Sequence, residues 1–198
     1  MKPSIDLVIA SYGENLSWMK WIPSHWRVFL YCAKEDRTEF QTDVKPVMVP
    51  NGGREAGQYF QHLVDHYGDH SDYTIFFQGM PFDHSARDVI DILTENFIPS
   101  EPLRYVGGMG AFPLWMSQKP MGPIMDVFIR VFGSEDKVPP GVPGNIGAQF
   151  FVSKETILAS PKSTYEAFLK ESRADHPLSF GHLIEGAWGS VFNWHKFV

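Results

Sequence analysis

A chain of 198 residues has the size of one ordinary domain, and its 43% hydrophobic and 15% aromatic content suits a packed core and excludes disorder. A formal charge of −6 argues against a general nucleic-acid binder, because such proteins draw most of their affinity from neutralised phosphates. Cys32 is the one cysteine, so no internal disulfide forms, and the apolar run Val28–Cys32 predicts a buried, inert thiol.

The run Leu7–Ala10 is too short for a secretion signal, and no stretch reaches the roughly 20 apolar residues that span a bilayer. A cytoplasmic protein without a membrane partner is therefore expected.

In chain order, Ile5–Ala10 reads as a buried first strand that opens at Ser11-Tyr12-Gly13 into a loop. Asn15–Trp21 is helix-compatible and stops before Pro23, since proline disfavours helix in the residue before it. Trp26–Cys32 is a second strand and Val44–Val49 a short third one. From Gly53 to Tyr67 the pattern is helical. At roughly 100° per residue, Ala56, Phe60, Leu63, Val64 and Tyr67 share one apolar stripe. Glu55, Gln58, Tyr59, His62 and His66 fall on another face, and Gly68 ends the helix.

Tyr73–Phe77 is a wholly apolar, central strand that halts at Gln78-Gly79-Met80-Pro81. Asp88–Phe97 is a helix with Val89, Ile90, Leu93 and Phe97 inward. Residues 107–123 and 133–147 are rich in glycine and proline and predict substrate loops or a lid. Gln149–Val152 is strand-like, and Pro161–Glu171 and Leu183–Phe192 are helical. This rhythm predicts one α/β domain over residues 1–198 with a mainly parallel central sheet flanked by helices. In such sheets ligands bind beyond the carboxyl ends of the strands. The loops Ser11–Asn15, Asn51–Glu55 and Gln78–His84 fit that position.

Asn51-Gly52-Gly53-Arg54-Glu55 runs from a strand end into a helix start, where free N–H groups and the helix dipole favour an anion. Arg54 adds a fork of donors suited to phosphate. The alternative is a tight turn with Asn51 capping locally and Arg54 paired to an acid. After the central strand, Gln78 offers a donor and an acceptor, while Asp83 and His84 suit acid, base or metal-ligand roles. Equally, Asp83 caps a helix starting near Ser85. His62 and His66 share a helix face with Glu55, a spacing that can hold zinc. Yet the glutamate beside the first histidine of a metalloprotease helix is missing, and solvated or hydrogen-bonded histidines are the other reading. His182-x-x-Glu185-x-x-Trp188 sets three functional side chains along one helix edge. Glu185, between Ile184 and Ala187, suits proton transfer and Trp188 suits stacking on a sugar or base, unless they are a surface acid and a core tryptophan. Gly-x-Ser-x-Gly, Walker and Cys-x-x-Cys motifs are absent from the sequence.

The series Asn51-x-Gly53-Arg54-Glu55, Tyr59, His62, Tyr67, Phe77-Gln78-Gly79-x-Pro81 and His84 resembles a family of uncharacterised domains. Gly147-Ala148-Gln149-Phe150, Tyr165 and Glu185-x-x-Trp188 continue that match. More distantly, Leu7–Asn15 and Asn51–Tyr67 followed by Thr74–Phe77 resemble nucleotide-sugar glycosyltransferases of the GT-A type. That second likeness implies a GT-A-like fold, with the nucleotide near Ala10–Glu14, Tyr12 included, and the diphosphate near Asn51–Arg54. Gln78, Gly79 and Met80 then stand at the positions of an Asp-x-Asp metal motif. Gln78 and Met80 supply no carboxylate for the usual divalent metal. Either Asp83 and His84 replace it, or Arg54 and the helix terminus neutralise the phosphates without metal.

The expected function is transfer of a glycosyl group from a nucleotide sugar to a hydroxyl acceptor. In it Asn51, Gly53, Arg54, Glu55, Gln78 and Gly79 bind the donor and Asp83, His84 and Glu185 serve catalysis. His182 and Trp188 receive the acceptor. A modified DNA base as the acceptor finds no support in the charge of −6. Two rivals stand beside this reading. One is a silent module that binds a sugar, nucleotide or protein; the other is a metal-dependent hydrolase built on His62, His66, Asp83 and His84.

Overall fold

The structure is a computed structural model. It describes residues 2–33, 43–94, 97–106, 122–138, 147–175 and 179–193, without the side chains of His84, Ser85 and Asn193. Its strands are β1 (Ile5–Ser11), β2 (Arg27–Cys32), β3 (Val47–Met48), β4 (Tyr73–Gln78), β5 (Leu103–Tyr105) and β6 (Phe150–Ser153). They form one six-stranded sheet in the order β3-β2-β1-β4-β6-β5. The helices are α1 (Arg54–Asp65), α2 (Phe82–Ile92), α3 (Pro123–Phe132), α4 (Lys154–Leu158), α5 (Lys162–Ser172), α6 (Phe180–Glu185) and α7 (Trp188–Asn193).

The α/β class holds, but the sheet is mixed rather than mainly parallel. β1 pairs in parallel with β2 and β4, and β2 with β3. β6 runs antiparallel to both β4 and β5. An apolar run such as Phe150–Val152 has the same composition in either direction, so strand direction comes from the connections and not from the residues.

Both faces of the sheet are covered, as continuous apolar strands require. Val8, Ala10, Tyr31, Phe76, Phe150 and Val152 point to the side of α1, α5 and α7. Leu7, Ile9, Leu30, Ile75, Phe77 and Phe151 point to the other, where the 3-10 helix Ser17–Trp21 and α2 pack through Trp18, Met19, Val89 and Ile92. Ile90, expected inward, is exposed.

Helix α1 lies between the sheet and α5 and α6. Its apolar stripe meets the outer helices, with Phe60 stacked on Phe168 at 5.0 Å between centroids. Its second stripe faces the sheet instead of water: Glu55, Gln58, Tyr59 and His62 are all buried.

The expected C-terminal helix is two helices broken at Gly186-Ala187, with Ala187 N–H bonding back to Ile184 C=O. Helix α2 begins at Phe82, right after Pro81, so Asp83 and His84 lie in its first turn and not in a loop. Among the described residues no helix is long and apolar enough to cross a membrane.

Three tyrosines, Tyr31, Tyr59 and Tyr165, have no exposed surface. Burial pushes all three phenols above their ordinary range; for Tyr59 the nearby charges of Glu55, Glu185 and Glu14 add to it. Above pH 10 the unfolded chain gives up these protons and the folded chain keeps them, so stability falls as pH rises. Each tyrosine contributes about 1.4 kcal/mol per pH unit, roughly 4 for the three. Alkaline titration is therefore expected to show the tyrosinate absorbance of these three residues rising in one step with loss of near-UV circular dichroism between about pH 10 and 12. Smooth ionisation of all tyrosines near pH 10 in an intact fold would contradict this.

Candidate functional site

The chain leaves β1, builds β2 and β3 on one side, then crosses to place β4 on the other side of β1. The carboxyl ends of β1 and β4 thus flank the point where strand order reverses, the place where open α/β sheets hold ligands. A cleft of about 380 Å³ opens there. Ala10, Ser11, Tyr12 and Glu14 line it from β1 and its loop, Gln78 from β4, and Asn51, Arg54, Glu55 and Gln58 from the start of α1.

The cleft is held by side chains from α1. Gln58 Oε1 accepts from the Ser11 backbone N–H at 3.1 Å, tying α1 to the end of β1. Gln78 Nε2 donates to Glu55 Oε1 at 2.8 Å, tying it to the end of β4. Glu14 Oε2 accepts from Ser11 Oγ (2.8 Å) and Tyr12 N–H (2.7 Å), which folds the loop after β1 back on itself. Gly79 makes room for that carboxylate: a Cβ there would lie 2.3 Å from Glu14 Oε2.

The entry to α1 is unusual. Gly53 (φ 72°) and Arg54 (φ 56°) both adopt the left-handed region, and Arg54 is the one non-glycine residue with positive φ among the described residues. That conformation costs a non-glycine residue about 1–2 kcal/mol. Neighbours hold it in place: Gly181 packs on Arg54, where an added Cβ would sit 3.0 Å from Arg54 Cβ and from the Gly53 carbonyl. The guanidinium approaches Glu55 (Nε–Oε2 3.7 Å), and Nη1 meets Nε2 of His182. The side chain of Arg54 remains half exposed and faces the cleft. No side chain caps this helix start, so Asn51 does not act as the cap.

The structure thus brings Tyr12, Asn51, Arg54, Glu55 and Gln78 into one cleft, with Gly53 and Gly79 shaping it and His182 at its edge. Glu14 and Gln58 complete it. Glu14 carries no pattern of its own in the sequence; only its place just after a strand end marks it.

Other candidates fall elsewhere. Asp83 is exposed in the first turn of α2 and caps nothing. The side chain of His84 lies outside the described residues, as do residues 107–121 and 139–146 of the expected closing segments. His62 and Asp83 stand on opposite faces of the sheet, so the hydrolase constellation does not assemble. Glu185 is half-buried, and its charge acts on the Tyr59 phenol together with those of Glu55 and Glu14.

Trp188 corrects the sequence reading. Its ring has no exposed surface and lies 4.9 Å from Phe150, 5.0 Å from Phe60 and 5.9 Å from Tyr59. The break at Gly186-Ala187 turns it into the core, so it offers no face for stacking.

Residues 7–197 match the family model described as "Protein of unknown function (DUF3431)". The chain belongs to this family. The match takes in β1 from Leu7 onward, every later strand and the whole cleft, so the site is part of the DUF3431 domain itself. No curated protein matches the chain.

Proposed function

We propose that the cleft binds a nucleotide-activated sugar and that the chain passes its glycosyl group to a hydroxyl acceptor. One observation carries this reading. A half-exposed arginine is held in a strained backbone conformation at a helix start, beside the reversal point of the sheet. Strain of this kind persists where the surroundings over-determine it, and it clusters at ligand clamps. Arg54 and the uncapped first turn of α1 suit a diphosphate. Tyr12, an exposed aromatic on the opposite wall, suits the base. Gln78 and Asn51 suit sugar hydroxyls.

In the transfer, the bond from the anomeric carbon to the phosphate oxygen breaks and the nucleotide leaves with that electron pair. The acceptor oxygen forms the new bond, and its proton passes to a carboxylate. Glu55, which lines the cleft, is the carboxylate offered for that role. A divalent metal, normal for the GT-A type, would be held here by Glu14 together with the donor's own phosphate oxygens, in place of the missing Asp-x-Asp, and would supply charge neutralisation.

A second reading is favoured by charge. The described lining carries two carboxylates against one guanidinium, which suits a neutral sugar in a binding module better than a free diphosphate.

Thermal shift with nucleotide sugars, nucleoside diphosphates and free sugars, with and without Mn²⁺, separates the two. The transferase reading expects stabilisation by one nucleotide sugar. It also expects Arg54→Ala to weaken binding about 10–100-fold, the loss of one charge-assisted hydrogen-bonding partner. A response to free sugars alone selects the binding module. Silence toward every donor sinks the transferase.

A further inference from the structure

The stripe of α1 that faces the sheet continues past the cleft. Glu55 and Gln58 serve the carboxyl ends of the strands, and His62, near the other end of the helix, reaches their amino ends. There it meets Asp6 of β1 and His70, in the turn before β4. Each of the three offers a ligand atom, and these atoms lie within 4.8 Å of one another. All three side chains are buried, Asp6 and His62 completely.

Nε2 of His62 and both ring nitrogens of His70 have no hydrogen-bond partner, nor has Oγ1 of Thr74, which pairs with Asp6 across the sheet. Buried polar atoms nearly always find partners, and each orphan costs about 1–3 kcal/mol. Orphans gathered around one point call for an occupant.

The ring chemistry says which one. Nδ1 of His62 lies 3.3 Å from the Tyr31 hydroxyl. A metal-ligating imidazole commonly donates its second N–H to such a partner, which leaves the other nitrogen's lone pair free.

We propose that Asp6, His62 and His70 bind a zinc-class divalent metal ion as a buried structural site. Two imidazole nitrogens and a carboxylate oxygen are a zinc donor set. Bonds of about 2.0–2.1 Å in a tetrahedron place ligand atoms about 3.4 Å apart, so the present cluster closes by small side-chain rotations. Water or His66, whose ring centre is 4.8 Å from that of His62, takes the fourth position. Asp6 now accepts from Arg27 Nε and Nη2 and from Ser71 N and Oγ. When the metal displaces Arg27, that half-exposed guanidinium keeps Asp69, 3.2 Å from its Nη1, so no buried cation is stranded. The ion ties β1, α1 and the turn into β4 together.

The full chain, purified without a histidine tag and stripped with chelator, is titrated with Co²⁺ and then Zn²⁺. One equivalent of Co²⁺ is expected to give the strong visible absorption of a four-coordinate site, which Zn²⁺ removes. Saturating Zn²⁺ raises the unfolding temperature by about 5–10 °C. His70→Ala loses both signals and His182→Ala keeps them. Absence of band and shift in the wild type overturns the proposal and leaves a buried water as the occupant. A band that survives in His70→Ala overturns it as an adventitious site. Side-chain ¹H–¹⁵N spectra of the wild type decide the matter even where His70→Ala fails to fold: the Nε2 resonance of His62 moves on Zn²⁺ addition, and unmoved resonances refute the site.

Discussion

Replacing Trp188 with alanine is expected to destabilise the protein by about 3–5 kcal/mol, a large share of the roughly 5–15 kcal/mol that holds a typical domain together. The ring is wholly buried where three parts of the fold meet: Phe150 of the sheet, Tyr59 and Phe60 of α1, and Phe192 of α7, stacked at 5.9 Å. Its removal leaves a cavity that these rigid rings cannot close. Trp188→Phe is expected to cost much less. It keeps an aromatic ring in the site, and the indole N–H it removes has no partner to lose. Urea unfolding of both variants measures the difference. A tryptophan serving as a stacking platform would give the opposite result, with Trp188→Ala unchanged in stability and weakened in ligand binding.

The expectation about Trp188 went astray for a physical reason. Leu183–Phe192 has a helical pattern, and one continuous helix would set His182, Glu185 and Trp188 along a shared edge. The chain instead turns at Gly186-Ala187, and the second helix starts with a new rotation. Local pattern carries no information about that rotation.

The same limit shows in α1. Its two stripes are legible in the sequence, and polar residues on a second face read as a solvated or ligand-bearing surface. What burial reveals is that the polar stripe lies on the sheet, because Gln58 and Glu55 are needed to bond Ser11 and Gln78 at the strand ends. Runs such as Ile5–Ala10 and Tyr73–Phe77 were legible because a strand covered on both faces is apolar throughout. The three residues of β5 are too few to show a pattern, and the direction of β6 is not a property of its composition. Asn51–Glu55 was legible as a strand-to-helix loop carrying an arginine, because its glycines and its place between an apolar run and a helical stripe are local features. The union of Asp6, His62 and His70 was not, since the first two stand 56 positions apart and only the fold closes the gap.

Gly57→Ala is expected to be destabilising by about 1–3 kcal/mol or more, although in a helix interior alanine normally gains about 1 kcal/mol over glycine. Gly57 lies in α1, where its missing side chain lets the Gly52 carbonyl approach; a Cβ would stand 1.8 Å from that oxygen. The obstacle is backbone, so it cannot swing aside as a flexible side chain does. Gly52 and Gly53 are in turn packed on Ser172 of α5, where a Cβ at Gly53 would lie 2.8 Å from Ser172 Cβ. The loop is therefore clamped between two helices and has no free direction in which to retreat. Pushing it out moves Asn51 and Arg54 from the cleft wall, so ligand binding is expected to fail even in the fraction that stays folded. Gly68→Ala is the control. Its φ of 91° strains an alanine, but nothing lies within 4 Å of the added Cβ and the position is far along the chain from the cleft. That variant is expected to lose stability modestly and keep binding. Urea midpoints and thermal shift with the proposed nucleotide-sugar ligand, run on both variants, separate strain from displacement. A Gly57→Ala protein that gains stability and still binds would mean that the approach of Gly52 to α1 does not set the loop, and that Arg54 reaches its left-handed conformation by some other constraint.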